Sequence, residues 1–118
     1  MSEIQHRALR SIPAEVLNPM MTRRLLWGDR LMASYIEFKA GAAVPVHRHE
    51  NEQITYCISG VMRFTVDDRE IVLRGGDVLL IPGNVPHGAE MPEDTIEMDF
   101  FSPPRQDWIS GADAYLRK

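Results

Sequence analysis

The chain has 118 residues, 44% hydrophobic and 25% charged, with a formal net charge of −4. That length suits one domain with one sizeable core. No apolar run approaches the roughly 18 residues of a membrane span. No cluster of Lys or Arg supplies the concentrated positive field that nucleic acid demands. Membrane and nucleic acid are therefore excluded as expected partners, and a small ligand takes their place.

Along the chain, the opening MSEIQHRALRSIP lacks the apolar core of a secretory signal, so a cytoplasmic location is expected. Gly, Pro and Asp-Asp punctuation then recurs between short apolar or alternating runs, the rhythm of an all-β sandwich or barrel. Eight strands are expected, over residues 23–27, 31–38, 44–47, 53–59, 61–66, 70–73, 78–81 and 95–101. Gly28-Asp29 and Asp67-Asp68 sit where hairpin turns are needed, and Gly60 separates two strands. Eight strands fill a jelly roll or small barrel.

Alternation along a strand tells which side chains share a face. Gln53, Thr55, Cys57 and Ser59 fall on one face, Ile54, Tyr56 and Ile58 on the other. Similarly Glu97, Asp99 and Phe101 oppose Ile96, Met98 and Phe100. If the polar faces line a cavity, the apolar ones need a cover from outside, which a second subunit would supply; residues 31–38, apolar on both faces, ask for the same. A homodimer is expected on this ground. The lone cysteine, Cys57, excludes an internal disulfide and a cysteine-rich zinc site, and reads as a small buried hydrophobe.

Residues 47–53, HRHENEQ, hold the chemistry. His47 and His49 are two apart, so an extended backbone projects both imidazoles from one face. His87 follows GGDVLLIPGNVP and comes from a second strand; only His6 of the four histidines lies elsewhere. Glu50, Glu52 and Gln53 compete to complete a metal site. On an unbroken strand the two glutamates point away from the cavity face and Gln53 toward it, although the turn after His49 can break that parity.

The spacing Gly41-x5-His47-x-His49-x3-Gln53-x6-Gly60, followed by Gly76-x5-Pro82-x-Asn84-x2-His87, resembles the two signature motifs of the cupin superfamily. Asn84 replaces a usual Gly but tolerates the same left-handed turn. The resemblance implies a single cupin domain over residues 1–118: a jelly-roll β-barrel core over about residues 22–107 and a tail over residues 108–118. It also implies one divalent transition metal held by His47, His49, Gln53 and His87, with Gln53 at the usual acidic position. Three imidazoles and a carboxamide would leave the cation its full 2+ charge, suited to polarising an anionic or oxygen-rich ligand. Nickel, iron, manganese, cobalt and zinc all suit such a donor set.

On the last strand Asp99 and Phe101 share a face, and beyond it Arg105 follows Ser102-Pro103-Pro104, a stiff segment that limits where the guanidinium goes. Asp99 suits acid–base work, Phe101 a water-excluding wall, and Arg105 a carboxylate clamp. Each also has a plain reading: a solvated strand residue, a core residue and a surface ion pair. Together with LLWGDRLM, HENEQITY, IPGNVPH and FFSPPRQD, the pattern over residues 22–107 resembles the KdgF-type cupins of pectin and alginate breakdown. That resemblance implies opening of a 4,5-unsaturated uronate to its linear keto form, with Asp99, Phe101 and Arg105 at the substrate. The alternatives are an iron-dependent dioxygenase or isomerase of another small organic acid or polyphenol, and a non-enzymatic sugar- or metal-binding cupin. Trp27, Trp108 and the methionines are expected to serve packing.

Overall fold

The computed structural model describes residues 3–117. Ten strands follow in chain order: β1 (Glu15–Asn18), β2 (Met21–Trp27), β3 (Met32–Phe38), β4 (Ala42–His47) and β5 (Glu52–Ser59), then β6 (Val61–Val66), β7 (Arg69–Arg74), β8 (Val78–Ile81), β9 (His87–Met91) and β10 (Thr95–Ser102). A short helix α1 (Gln106–Ser110) lies in the tail, and 3-10 turns occupy Leu9–Ser11 and Ala114–Leu116. The strands form two antiparallel sheets, ordered β1-β2-β3-β10-β5-β8 and β4-β9-β6-β7. The jelly-roll architecture is present as two separate ladders, not as one closed cylinder. No helix among the described residues is long and apolar enough to cross a membrane.

All eight expected strands are present, with ends displaced by at most two residues. β1 and β9 are additions that local pattern does not announce. β1 is EVLN, short and with no clean alternation. β9 is HGAEM, poor in β-formers, and it forms because β4 and β6 flank it on both sides. Asp67 and Asp68 both adopt positive φ, 48° and 67°, and close the β6–β7 hairpin as expected. Gly60 turns at φ 93°, where a Cβ would run into the backbone of Asp94 and Thr95.

The core between the sheets includes Met32, Ile36, Met62, Phe64 and Ile81, all buried. Here the usual inside-out assignment is reversed on two central strands. On β5 the buried residues are Gln53, Thr55 and Cys57, while Ile54 is 44% exposed and Ile58 38%. On β10, Glu97, Asp99 and Phe101 point inward. Cys57 sits fully buried, and burial pushes its thiol up from the ordinary value, as befits an inert packing group.

Candidate metal centre

The site spans both sheets. His47 ends β4 and pairs in register with His87, the first residue of β9. Gln53 is the second residue of β5, on the facing sheet. His49 lies beyond the end of β4, in the link to β5, so the two histidines do not share one regular strand as expected. That link, residues 48–51, turns His49 back toward His87. β9 approaches β4 closely because residue 88 is glycine: a Cβ there would lie 2.9 Å from Val44 O and Val46 N. Asn84 turns at φ 65°, as its place in the motif requires, and its N–H donates to His49 O at 2.7 Å.

The three imidazoles form one cluster, with candidate ligand atoms within 4.8 Å of one another. Each Nδ1 faces a backbone carbonyl: His47 with Pro45 O at 2.7 Å, His49 with Asn51 O at 3.1 Å, and His87 with Val85 O at 2.8 Å. A carbonyl only accepts, so each Nδ1 carries the proton and each Nε2 offers a lone pair. This is the outer support that metal-binding histidines commonly have. His87 Nε2 is buried and has no hydrogen-bond partner among the described residues. Burial, foremost, holds His47 and His49 near pKa 4, and lowers His87 as well, so all three are neutral ligands at pH 7.

Gln53 Oε1 lies 3.1 Å from His49 Nε2. With the His49 proton on Nδ1, two lone pairs confront each other there, an arrangement that a cation between them would turn from repulsive to favourable. The amide orientation is set from behind: Gln53 Nε2 donates to Thr55 Oγ1 at 2.8 Å and to Asp99 Oδ1 at 3.3 Å. Glu50 and Glu52 are exposed. The donor set of His47, His49, His87 and Gln53 therefore fits a divalent transition cation.

Behind Gln53 lies a buried acid pair. Thr55 Oγ1 donates to Asp99 Oδ1 at 2.6 Å, and Asp99 is hydrogen-bonded to Glu97. Burial raises Asp99 to about 6, although hydrogen bonds from Thr55 and others pull it back. Burial, reinforced by the neighbouring Asp99, pushes Glu97 well above the usual carboxylate range. Asp99 is thus a group that exchanges a proton near neutral pH, and not the solvated strand residue of the plain reading.

Arg105 is only 2% exposed, which also removes its plain reading as a surface group. Asp107 holds it through two bonds, Nε to Oδ1 at 3.0 Å and Nη2 to Oδ2 at 2.8 Å. Burial opposes its charge, but Asp107 outweighs that and raises the guanidinium further above its ordinary value. Its Nη1 is buried and has no hydrogen-bond partner among the described residues. The guanidinium lies 5.2 Å from the Phe101 ring and 4.5 Å from the Trp108 ring. Phe101 meets Trp108 edge-on at 4.9 Å and His49 at 5.7 Å. His47, Gln53, Asp99, Phe101 and Arg105 line a single cavity.

Sequence reasoning assigned no role in the site to four of the residues here. Thr55 and Glu97 could have been found, because alternation puts them on the inward polar faces. Trp108 and Tyr115 also line the cavity, and Trp108 is thereby more than a packing residue. They stand on the short helix α1 and on the 3-10 turn Ala114–Leu116, each too short for periodicity to say which way a side chain points.

The Cupin domain family model matches residues 34–102, more than half of the chain. The chain belongs to the cupin family. In sequence it is similar to the pectin degradation protein KdgF of Dickeya dadantii (strain 3937), 30% identical over 100 residues, covering 82% of this chain and 91% of that protein. Among solved structures it is similar to KdgF from Halomonas sp., with TM-score 0.84 and 28% identity over 90% of this chain and 99% of that one. An RmlC-like cupin from Shewanella frigidimarina NCIMB 400 aligns with TM-score 0.84 and 34% identity over 92% and 99%.

Proposed function

We propose that the chain is a metal-dependent cytoplasmic enzyme that opens the ring of a 4,5-unsaturated uronate and tautomerises it to the linear keto acid. One observation carries the reading: a hydrogen-bonded line runs from candidate ligand to candidate acid, Gln53 to Thr55 at 2.8 Å and Thr55 to Asp99 at 2.6 Å. It lies in the cavity that Arg105 also lines. The likeness to the pectin degradation protein KdgF supports the substrate class.

His47, His49, Gln53 and His87 would hold a divalent cation which, kept at 2+ by four neutral donors, would supply Lewis acidity toward the sugar oxygens. Arg105 would orient the uronate carboxylate through Nη1, the one face of the guanidinium that Asp107 and Tyr115 leave free. Phe101 and Trp108 would keep water from the enol. Asp99 would take the proton of the ring hemiacetal hydroxyl as the ring C–O bond breaks to leave an enolate, and would return that same proton to C4 of the enolate to give the keto form. No proton or electron is gained or lost overall, and a carboxyl near pKa 6 is suited to both halves of the transfer.

The test is to follow loss of the conjugated enol absorbance when metal-loaded protein meets unsaturated galacturonate. The expected result is a large acceleration that falls at least 100-fold in Asp99→Asn with metal content unchanged. No acceleration, or an Asp99→Asn variant equal to wild type, would sink the reading.

The same reading takes the protein as a homodimer joined through the outer face of the six-stranded sheet. Neighbouring β5 and β8 expose Ile54, Val78 (66%) and Leu80 (55%) there, with Leu80 directly across from Ile54.

A further inference from the structure

The tail after β10 adds a wall that the two sheets do not need for their own pairing. It carries Trp108, Tyr115 and Leu116 to the cavity lining. The Tyr115 ring lies 4.8 Å from that of His47. Its hydroxyl oxygen accepts two hydrogen bonds, from Arg105 Nη2 at 2.9 Å and from Trp108 Nε1 at 3.2 Å. A phenol oxygen has two accepting positions and one hydrogen to give. Both accepting positions are taken, and the hydrogen has no acceptor among the described residues. Arg105 Nη1 is in the same condition, buried and unpartnered. Two adjacent groups thus each keep one unused N–H or O–H, which matches the two oxygens of a carboxylate.

The free space in the cavity is about 30 Å³. That is room for one or two waters, whereas sites for organic molecules run to about 300 Å³ and more. A sugar acid therefore needs a wall to move. The strands are paired along their lengths, whereas residues 111–117 are joined to the rest by separate contacts: the buried pair of Asp113 with Arg23 at 2.8 Å, Asn18 Nδ2 donating to Leu116 O at 2.8 Å, the Tyr115 hydroxyl with Arg105 and Trp108, and the packing of Leu116 and Tyr115 on the core, all of which lifting would have to release. Gly111 ends α1 at φ 79°, with open space around it, and Ser110 to Ala112 are exposed. Those residues can act as a hinge.

We propose that residues 111–117 are a hinged lid and that Tyr115 is its ligand-contacting residue, lifting to admit an organic carboxylate and donating its O–H to that carboxylate beside Arg105 Nη1. The ligand class rests on the sugar-acid reading above; the movement and the role of Tyr115 rest on the tail itself. Tyr115→Phe isolates the hydroxyl, since the ring beside His47 remains and Asp107 still holds Arg105 by two bonds.

The probe is D-galacturonate, which has no double bond to react, with D-galactose as the neutral control, titrated calorimetrically into the full-length, nickel-loaded protein. Tyr115→Phe is expected to bind galacturonate at least 10-fold more weakly, with nickel content and galactose binding unchanged. In hydrogen exchange, the amides of Leu116 and Arg117 are expected to exchange much faster than those of β5, and to slow at least 10-fold with galacturonate. Equal galacturonate affinity in Tyr115→Phe, no galacturonate binding by the wild type, or tail amides as slow as β5 would each overturn the proposal. Galacturonate binding that depends on Tyr115, without turnover of the unsaturated sugar, would remove the proposed reaction and leave the lid standing.

Discussion

Replacing Gln53 by glutamate would exchange a neutral donor for an anion while keeping its shape. The new carboxylate would lie where Gln53 Nε2 now donates to Asp99 at 3.3 Å, so two anions would meet and Asp99 would be pushed higher still. Gln53→Glu is expected to retain metal, measured by elemental analysis, and to lose at least 10-fold in ring-opening rate. His47→Ala and His49→Ala should each lose the metal, whereas the exposed Glu52→Gln should keep it. An empty site in Glu52→Gln would mean that parity picked the wrong ligand.

The same residues set the acid response of the metal-free protein. His47 and His49 sit near 4 when folded against 6.5 when free, so the unfolded chain takes up protons first as the pH drops. Stability is therefore lost as pH falls from about 6.5 toward 4. His87, lowered too, adds to this loss, while Glu97, which burial pushes well above the usual carboxylate range, opposes it, and so does Asp99. Raised to about 6 from 3.8, it is protonated first in the folded state, so its contribution grows as pH falls through that window. Thermal unfolding of the metal-free protein should show a net decline on acidification, shallower in a His47→Gln/His49→Gln variant and steeper in Asp99→Asn.

Among the elements, β9 and the tail decide the shape of the site. A methyl at residue 88 would press on the β4 backbone, so Gly88→Ala is expected to cost about 2 kcal/mol, in the usual range for overpacking, and to weaken metal binding by separating His87 from His47. Chemical denaturation and metal titration read the two effects. The tail is tied down by Asp113, which Arg117 and Arg23 hold below the usual carboxylate range against the cost of its burial. Both Asp113 and Arg23 are fully buried. Asp113→Asn would leave Arg23 with Glu15 alone and is expected to destabilise by about 3 kcal/mol, the low end for breaking a buried pair.

At the scale of the molecule, the reversed facing of β5 and β10 links function to assembly. A polar cavity side on a central strand leaves the apolar side outward, and that surface seeks cover. The proposed homodimer is checked by light scattering: Val78→Lys with Leu80→Lys should turn a dimer into a monomer and remove any dependence of the melting temperature on protein concentration. A wild type that is already monomeric would dismiss the interface. The net charge of −4 offers an anionic sugar no general attraction, so the pull on the proposed substrate would have to come from the site, from Arg105 and the cation proposed there.

Much of this could be read without coordinates, because alternation and spacing are local properties of the chain. Alternation grouped Gln53, Thr55 and Cys57 on one strand face and Glu97, Asp99 and Phe101 on another, and the neighbouring histidines gave the reason to turn those faces inward. Motif spacing picked out the three histidines that cluster, and Asp67-Asp68 and Asn84 announced their turns. What only the tertiary structure decided depends on neighbours distant in sequence. β9 becomes a strand because β4 and β6 lie beside it, and the site spans two sheets because the chain crosses between them at residues 48–51. Arg105 becomes a buried cation with one free face because Asp107, Tyr115 and Trp108 fold around it. A tail without periodicity carries no local signal of where its side chains point, so the placement of Tyr115 against His47 emerges only when the chain is packed.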